Sequence, residues 1–86
     1  MKLVMKPIEI ITTHNQQGII TPVKFKVPGS EPVRIVRVDS VIERKSEKIA
    51  GNPMQVFLCQ TCMADRVIQF ELKYEINTLK WYLAKI

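Results

Sequence analysis

Apolar and polar residues alternate along most of this chain, and the alternating stretches are separated by turn residues. That pattern predicts strands, because successive side chains of a strand point to opposite faces. "KPIEIITTHN" puts Ile8, Ile10 and Thr12 on one face, and "NQQG", ending in Gly18, predicts a hairpin turn. "TPVKFKV" sets Val23, Phe25 and Val27 against Lys24 and Lys26, with Pro22 expected at a strand start or on an edge, before "PGSEP" stops the run.

The third strand, "VRIVRVDSVIER", changes phase. Val33 and Ile35 share one face, whereas Val36, Val38, Ser40 and Ile42 share the other, so a bulge or sharp coil is expected near Ile35 and Val36. "KSEKIAGNP" reads as a loop with a single helical turn, ended by Gly51, Asn52 and Pro53. "MQVFLCQTC" is nearly continuous in apolar and small residues, as in a strand covered on both sides. After the turn "MADR", Ile68, Phe70, Leu72 and Tyr74 share one face, and beyond "EINT" Leu79, Trp81 and Leu83 share another.

Six strands, short connections and no convincing helix predict an all-β fold: a small antiparallel barrel or strongly curled sheet, formed as one domain over residues 1–86. The expected core is Ile8, Ile10, Val23, Phe25, Val38, Phe57, Ile68, Phe70, Leu72, Leu79, Trp81 and Leu83.

Composition adds little to that picture. Of the 86 residues, 47% are hydrophobic and 24% charged, an ordinary globular mixture. No apolar run is long enough to cross a bilayer, and the opening residues, broken by Lys6 and Pro7, do not predict a secretory signal. A cytoplasmic protein with reduced thiols is expected, with no membrane association. The net charge of +5 is the sign that attracts phosphates, yet the cations are scattered and not blocked together.

Three side chains invite a metal reading: Cys59, Cys62 and His14. A structural zinc takes four nitrogen or sulfur ligands, and this set is one short unless an acid or a second chain completes it. In an extended strand Cys59 and Cys62 also point to opposite faces, and the two sulfurs meet only if the strand breaks into a turn near Gln60. A redox dithiol would belong at a helix N-terminus. Structural thiols are therefore expected, with neither metal nor cofactor. His14, the only histidine, lies beside a turn with no partner near it in sequence, and no catalytic residue is assigned. Glu71, Lys73 and Glu75, with Lys80 on the next strand, read as a solvated cross-strand charge pattern.

The expected function is that of a non-catalytic protein-interaction or accessory module. Its unidentified protein partner would dock on an open edge or on exposed Val41, Ile49 and Met54. The alternative is weak nucleic-acid binding through the outward cations Lys24, Lys26, Arg34 and Arg37, with Tyr82 as a stacking ring.

At "KPIEII", "PVKFKV", "VFLCQ" and "FELKYEINTLKWYLAKI" the chain resembles a group of small bacterial proteins with no assigned activity. Phe57, Cys59, Glu71, Leu72, Tyr74, Trp81 and Leu83 lie on the shared pattern and Cys62 does not. The resemblance implies that Cys59 is a core position, and it implies no substrate or cofactor.

Overall fold

A computed structural model describes residues 1–86 and contains only strands and turns. In chain order the strands are β1 (Leu3–Ile8), β2 (Ile10–His14), β3 (Ile20–Lys26), β4 (Ile35–Arg37), β5 (Ser40–Ile49), β6 (Asn52–Met63), β7 (Arg66–Glu75) and β8 (Lys80–Lys85). They form two antiparallel sheets, a large one ordered β1-β8-β7-β6-β5 and a small one ordered β2-β3-β4.

Eight strands appear where six were expected because two of the six bend from one sheet into the other. The first breaks at Glu9, so that Ile8 and Ile10 reach the core from different sheets. The other breaks at Val38 and Asp39. There Val38 N–H still donates to Val23 O of β3 at 2.8 Å, and the next residue, Asp39, donates to Gln60 O of β6 at 3.0 Å. One peptide thus hands the chain from the small sheet to the large. The expected barrel is realised as two sheets linked at these corners, not as one closed hydrogen-bonded ring.

Several turns follow from local chemistry. Between β2 and β3 the Asn15 carboxamide oxygen accepts from the amides of Gln17 and Ile19, and Gly18 takes a φ of +81° that a side chain would strain. Ala64 and Asp65, both at positive φ, make the two-residue turn from β6 to β7. The segment read as a loop from Lys45 to Pro53 is instead strand almost throughout: β5 runs to Ile49 and turns within Ala50 and Gly51, at φ +52° and +80°. Both residues are left-handed, and this turn type matches the twist of the strands it joins, so no longer connection is needed.

The core lies between the sheets. Phe25 and Val36 of the small sheet meet Phe57, Cys59, Phe70, Leu72, Trp81 and Leu83 of the large one. Phe25 touches Phe70 at a ring-centroid distance of 5.5 Å, and Trp81 lies against both Phe57 and Tyr74. Ile8, Ile10, Val38 and Tyr74 are half-buried around this cluster.

Three departures from the expected pattern have local causes. Leu79 is 72% exposed, because it sits at φ +61° in the turn and β8 begins only at Lys80. In β3 a register shift leaves Val23 between the paired residues Pro22 and Lys24, so Pro22 as well as Phe25 is buried while Val23 is only half-buried. The phase change foreseen near Ile35 falls later, as a corner at Val38 and Asp39 and a bulge between Val41 and Glu43.

β6 is covered on both sides, as its composition suggests. On the face away from Phe57 and Cys59, Met54 and Val56 are buried. Lys73, the register partner of Val56, reaches over β6 to Glu47 of β5, with Nζ and Oε2 2.8 Å apart. The carbon stems of that pair shelter the apolar strand beneath their charged ends. Glu71 is buried on the same face, so this charge pattern is less solvated than the sequence indicated.

Candidate functional site

Phe25 and Val36 face the core, so strand alternation turns their neighbours outward. On the outer face of the small sheet Ile11, Lys24 and Arg37 form one cross-strand row, and Lys26 and Ile35 stand side by side in the next. Ile11 is 54% exposed and Ile35 49%. Together they border a shallow hollow of about 210 Å³ whose wall includes Lys24, Lys26 and Glu9. Lys26 Nζ lies 3.0 Å from Glu9 Oε2, an exposed pair of the kind water screens strongly.

Of the cations singled out in the sequence, Lys24, Lys26 and Arg37 thus share this face. Arg34 is exposed one position before β4 and out of phase with Arg37, its amide donating to Ser30 Oγ at 3.0 Å. Tyr82 belongs to a different surface. It stands in β8 between Pro7 and Lys73, on the side of the large sheet away from Trp81. Its hydroxyl donates to Glu75 Oε1 at 3.4 Å. Desolvation, followed by the Glu75 charge and this bond, raises the Tyr82 pKa. Hydrogen bonds from Thr78, Asn52 and Tyr82, with the nearby charge of Lys80, hold the Glu75 carboxyl below its ordinary value. Tyr82 is therefore tied to a polar cluster on the large sheet, whereas Lys24 belongs to the small one.

The sequence did not single out Ile11 or Ile35 as site residues, though its phases contain both. Ile11 alternates against Ile8, Ile10 and Thr12, and Ile35 against Val36 and Val38. The residues proposed there as a docking patch are otherwise placed: Met54 is buried and Val41 half-buried against the core, and of the three Ile49 alone is exposed.

β6 stays extended through Met63, with each residue from Met54 onward in register with β7, so the strand does not break at Gln60. Cys59 points into the core with none of its surface exposed, and Cys62 is exposed on the other face. The Cys62 amide donates to Asp39 Oδ2 at 2.8 Å, which satisfies the end of β6 where β5 has not yet begun. His14 is exposed at the end of β2. No three His, Cys, Asp or Glu side chains converge as a metal site would require.

Burial pushes the Cys59 thiol up to about 12, against a smaller lowering by the Arg44 charge. An unfolded chain loses this proton near the ordinary value of 9.0 while the folded one keeps it. The native state then binds more protons, so stability falls as the pH rises from about 9 toward 12. Iodoacetamide at pH 8 should add one label to the native protein, at Cys62, and a second only in denaturant. A Cys62→Ser chain that labels as fast when folded as when unfolded would show that Cys59 is not shielded.

No helix of this protein is long and apolar enough to cross a membrane. No protein-family model, curated protein or solved structure matches the chain.

Proposed function

We propose that this chain is a non-catalytic cytoplasmic binding module that docks an acidic protein partner on the outer face of its small sheet. One observation carries the reading: Ile11 and Ile35 stand about half exposed among Lys24, Lys26 and Arg37. Covering the two isoleucines supplies a non-directional gain of about 25 cal/mol per Å² of apolar area removed from water. The cations around them select a partner of negative charge and speed its approach. The chain's net charge of +5 acts in the same direction.

Nucleic acid is the second reading, favoured by the adjacency of Lys24 and Arg37 in register. It is the weaker one. Single-strand binding at such surfaces draws on base stacking as well as cations, and the ring expected to supply it, Tyr82, lies on the other sheet.

One comparison addresses both readings. Wild-type protein, Ile11→Glu, and Val67→Glu as a control on the large sheet's outer face are crosslinked in native lysate, and captured protein and nucleic acid are quantified. The acidic-protein reading expects a captured protein that drops at least tenfold with Ile11→Glu and is retained with Val67→Glu. Equal capture by all three overturns it. Nucleic acid captured in place of protein, and released by moderate salt, supports the second reading.

A further inference from the structure

β4 is a free edge of the small sheet, since it pairs with β3 alone. The bonds at its two ends give its hydrogen-bonding phase. Val38 N–H donates to Val23 O at 2.8 Å, and Val27 N–H donates to Arg34 O at 2.9 Å. In an antiparallel ladder such bonded pairs alternate with pairs whose amides point away. Phe25 and Val36 are the bonded pair between those two, so both backbone groups of Val36 are directed at β3. The N–H and C=O of Ile35 and of Arg37 then point off the sheet. None of the backbone bonds made outside the paired strands involves them, and both residues are exposed.

Two donors and two acceptors at i, i+2 spacing are a template for another strand. Building on the reading of the small sheet as a docking surface, we propose that β4 accepts an extended, acidic segment of the partner protein as a fourth, antiparallel strand. The outward row sets the chemistry of that segment. An apolar residue lies opposite Ile35 and an Asp or Glu lies opposite Arg37, on the same face as Lys24 and Lys26.

Charge decides against a second copy of this chain as the occupant. Joining two β4 edges would bring the Arg37 of both copies onto one face of neighbouring short strands that carry no acid, with Arg34 adding to the positive charge just before each. β5 offers a longer edge, but Glu43, Arg44, Lys45, Glu47 and Lys48 crowd it with charges of both signs, a usual protection against strand addition.

The test uses a blocked pentapeptide, Thr-Glu-Thr-Val-Thr, in which an antiparallel strand sets Glu opposite Arg37 and Val opposite Ile35, and its counterpart with Lys in place of Glu, titrated into the full chain and followed by amide NMR. Expected are shifts and slowed hydrogen exchange at the Ile35 and Arg37 amides, with at least tenfold weaker binding of the Lys peptide. Ile35→Pro removes an outward N–H and leaves the Val36 bonds to β3 in place. Compared with Ile35→Ala it should weaken the peptide about threefold to tenfold, the loss of one net hydrogen bond.

Equal binding to Ile35→Pro and Ile35→Ala, or shifts at Lys24 and Lys26 without any at the β4 amides, overturns strand addition and leaves the docking face standing. An absence of response to either peptide also overturns it, and the Ile11→Glu comparison then decides the docking face separately. The exchange measurement on the wild-type chain decides the matter if Ile35→Pro disturbs β4.

Discussion

Phe70→Ala should cost about 3–5 kcal/mol of folding stability, the usual range for removing a fully buried ring. Phe70 has no exposed surface, and its ring meets Phe25 across the two sheets at 5.5 Å. Its register partner on β6 is Cys59, also fully buried. Truncation therefore opens a cavity where the sheets press on each other, and the strands, pinned in their ladders, can close it only in part. A chain of 86 residues has a total stability of about 4–13 kcal/mol at the typical per-residue value, so the loss is a large share of it. Urea denaturation should show a much lower midpoint, or no folded baseline at all. Leu79→Ala, in the exposed turn, should stay within about 0.5 kcal/mol of wild type. If the two variants have similar midpoints, the sheets do not share the core described here.

Arg44→Ala should cost about 1–2 kcal/mol, more than any other exposed charge on the molecule. Arg44 projects from β5, and its guanidinium lies 5.4 Å from the Phe57 ring centroid. It donates to Ile20 O at 2.6 Å and to Thr21 Oγ1 at 2.9 Å, both in β3. Those bonds join the large sheet to the small one where no backbone ladder connects them. Exposure to water holds the effect near the lower part of the range for charged hydrogen bonds. Thermal unfolding measures the loss, and amide exchange locates it: protection should fall first around Ile20 and Thr21. Arg44→Lys should recover only part, because one ammonium cannot lie flat on the ring and donate in two directions. A substitution that moves neither the transition nor the exchange at β3 would leave the bridge with no role in holding the sheets together.

Arg44 also shows where sequence reading stops. In "VIERKSEKI" it is one charge among several, and its alternation phase places it on the same side as Phe57 only once the β5–β6 register is known. Tyr82 fails in the opposite way: as a ring flanked by Trp81 and Leu83 it was rightly turned away from the core, yet which outer surface it joined depended on the sheet that β8 entered. For Cys59 and Cys62 only the parity was legible; that the strand stays unbroken past Gln60, which parts the two thiols, came from its register with β7. The grouping of Lys24 and Lys26 was legible from parity as well. Their meeting with Arg37, Ile11 and Ile35 was not, because it required three strands to pair in one register.

Local pattern along the chain fixes the class of fold, most of the core and most of the tight turns, the one at Ala50 and Gly51 excepted. Period-two alternation and residues tolerant of positive φ are local properties, readable one segment at a time. Strand pairing settles where the two long strands cross between sheets, that Leu79 lies outside, and which outward residues become neighbours. Those outcomes depend on strand pairing and on the corners at Glu9 and Val38–Asp39, where bonds to residues distant in the chain outweigh local pattern. The candidate docking face is of that second kind: every residue in it was turned outward by its own strand, and pairing alone brought them together.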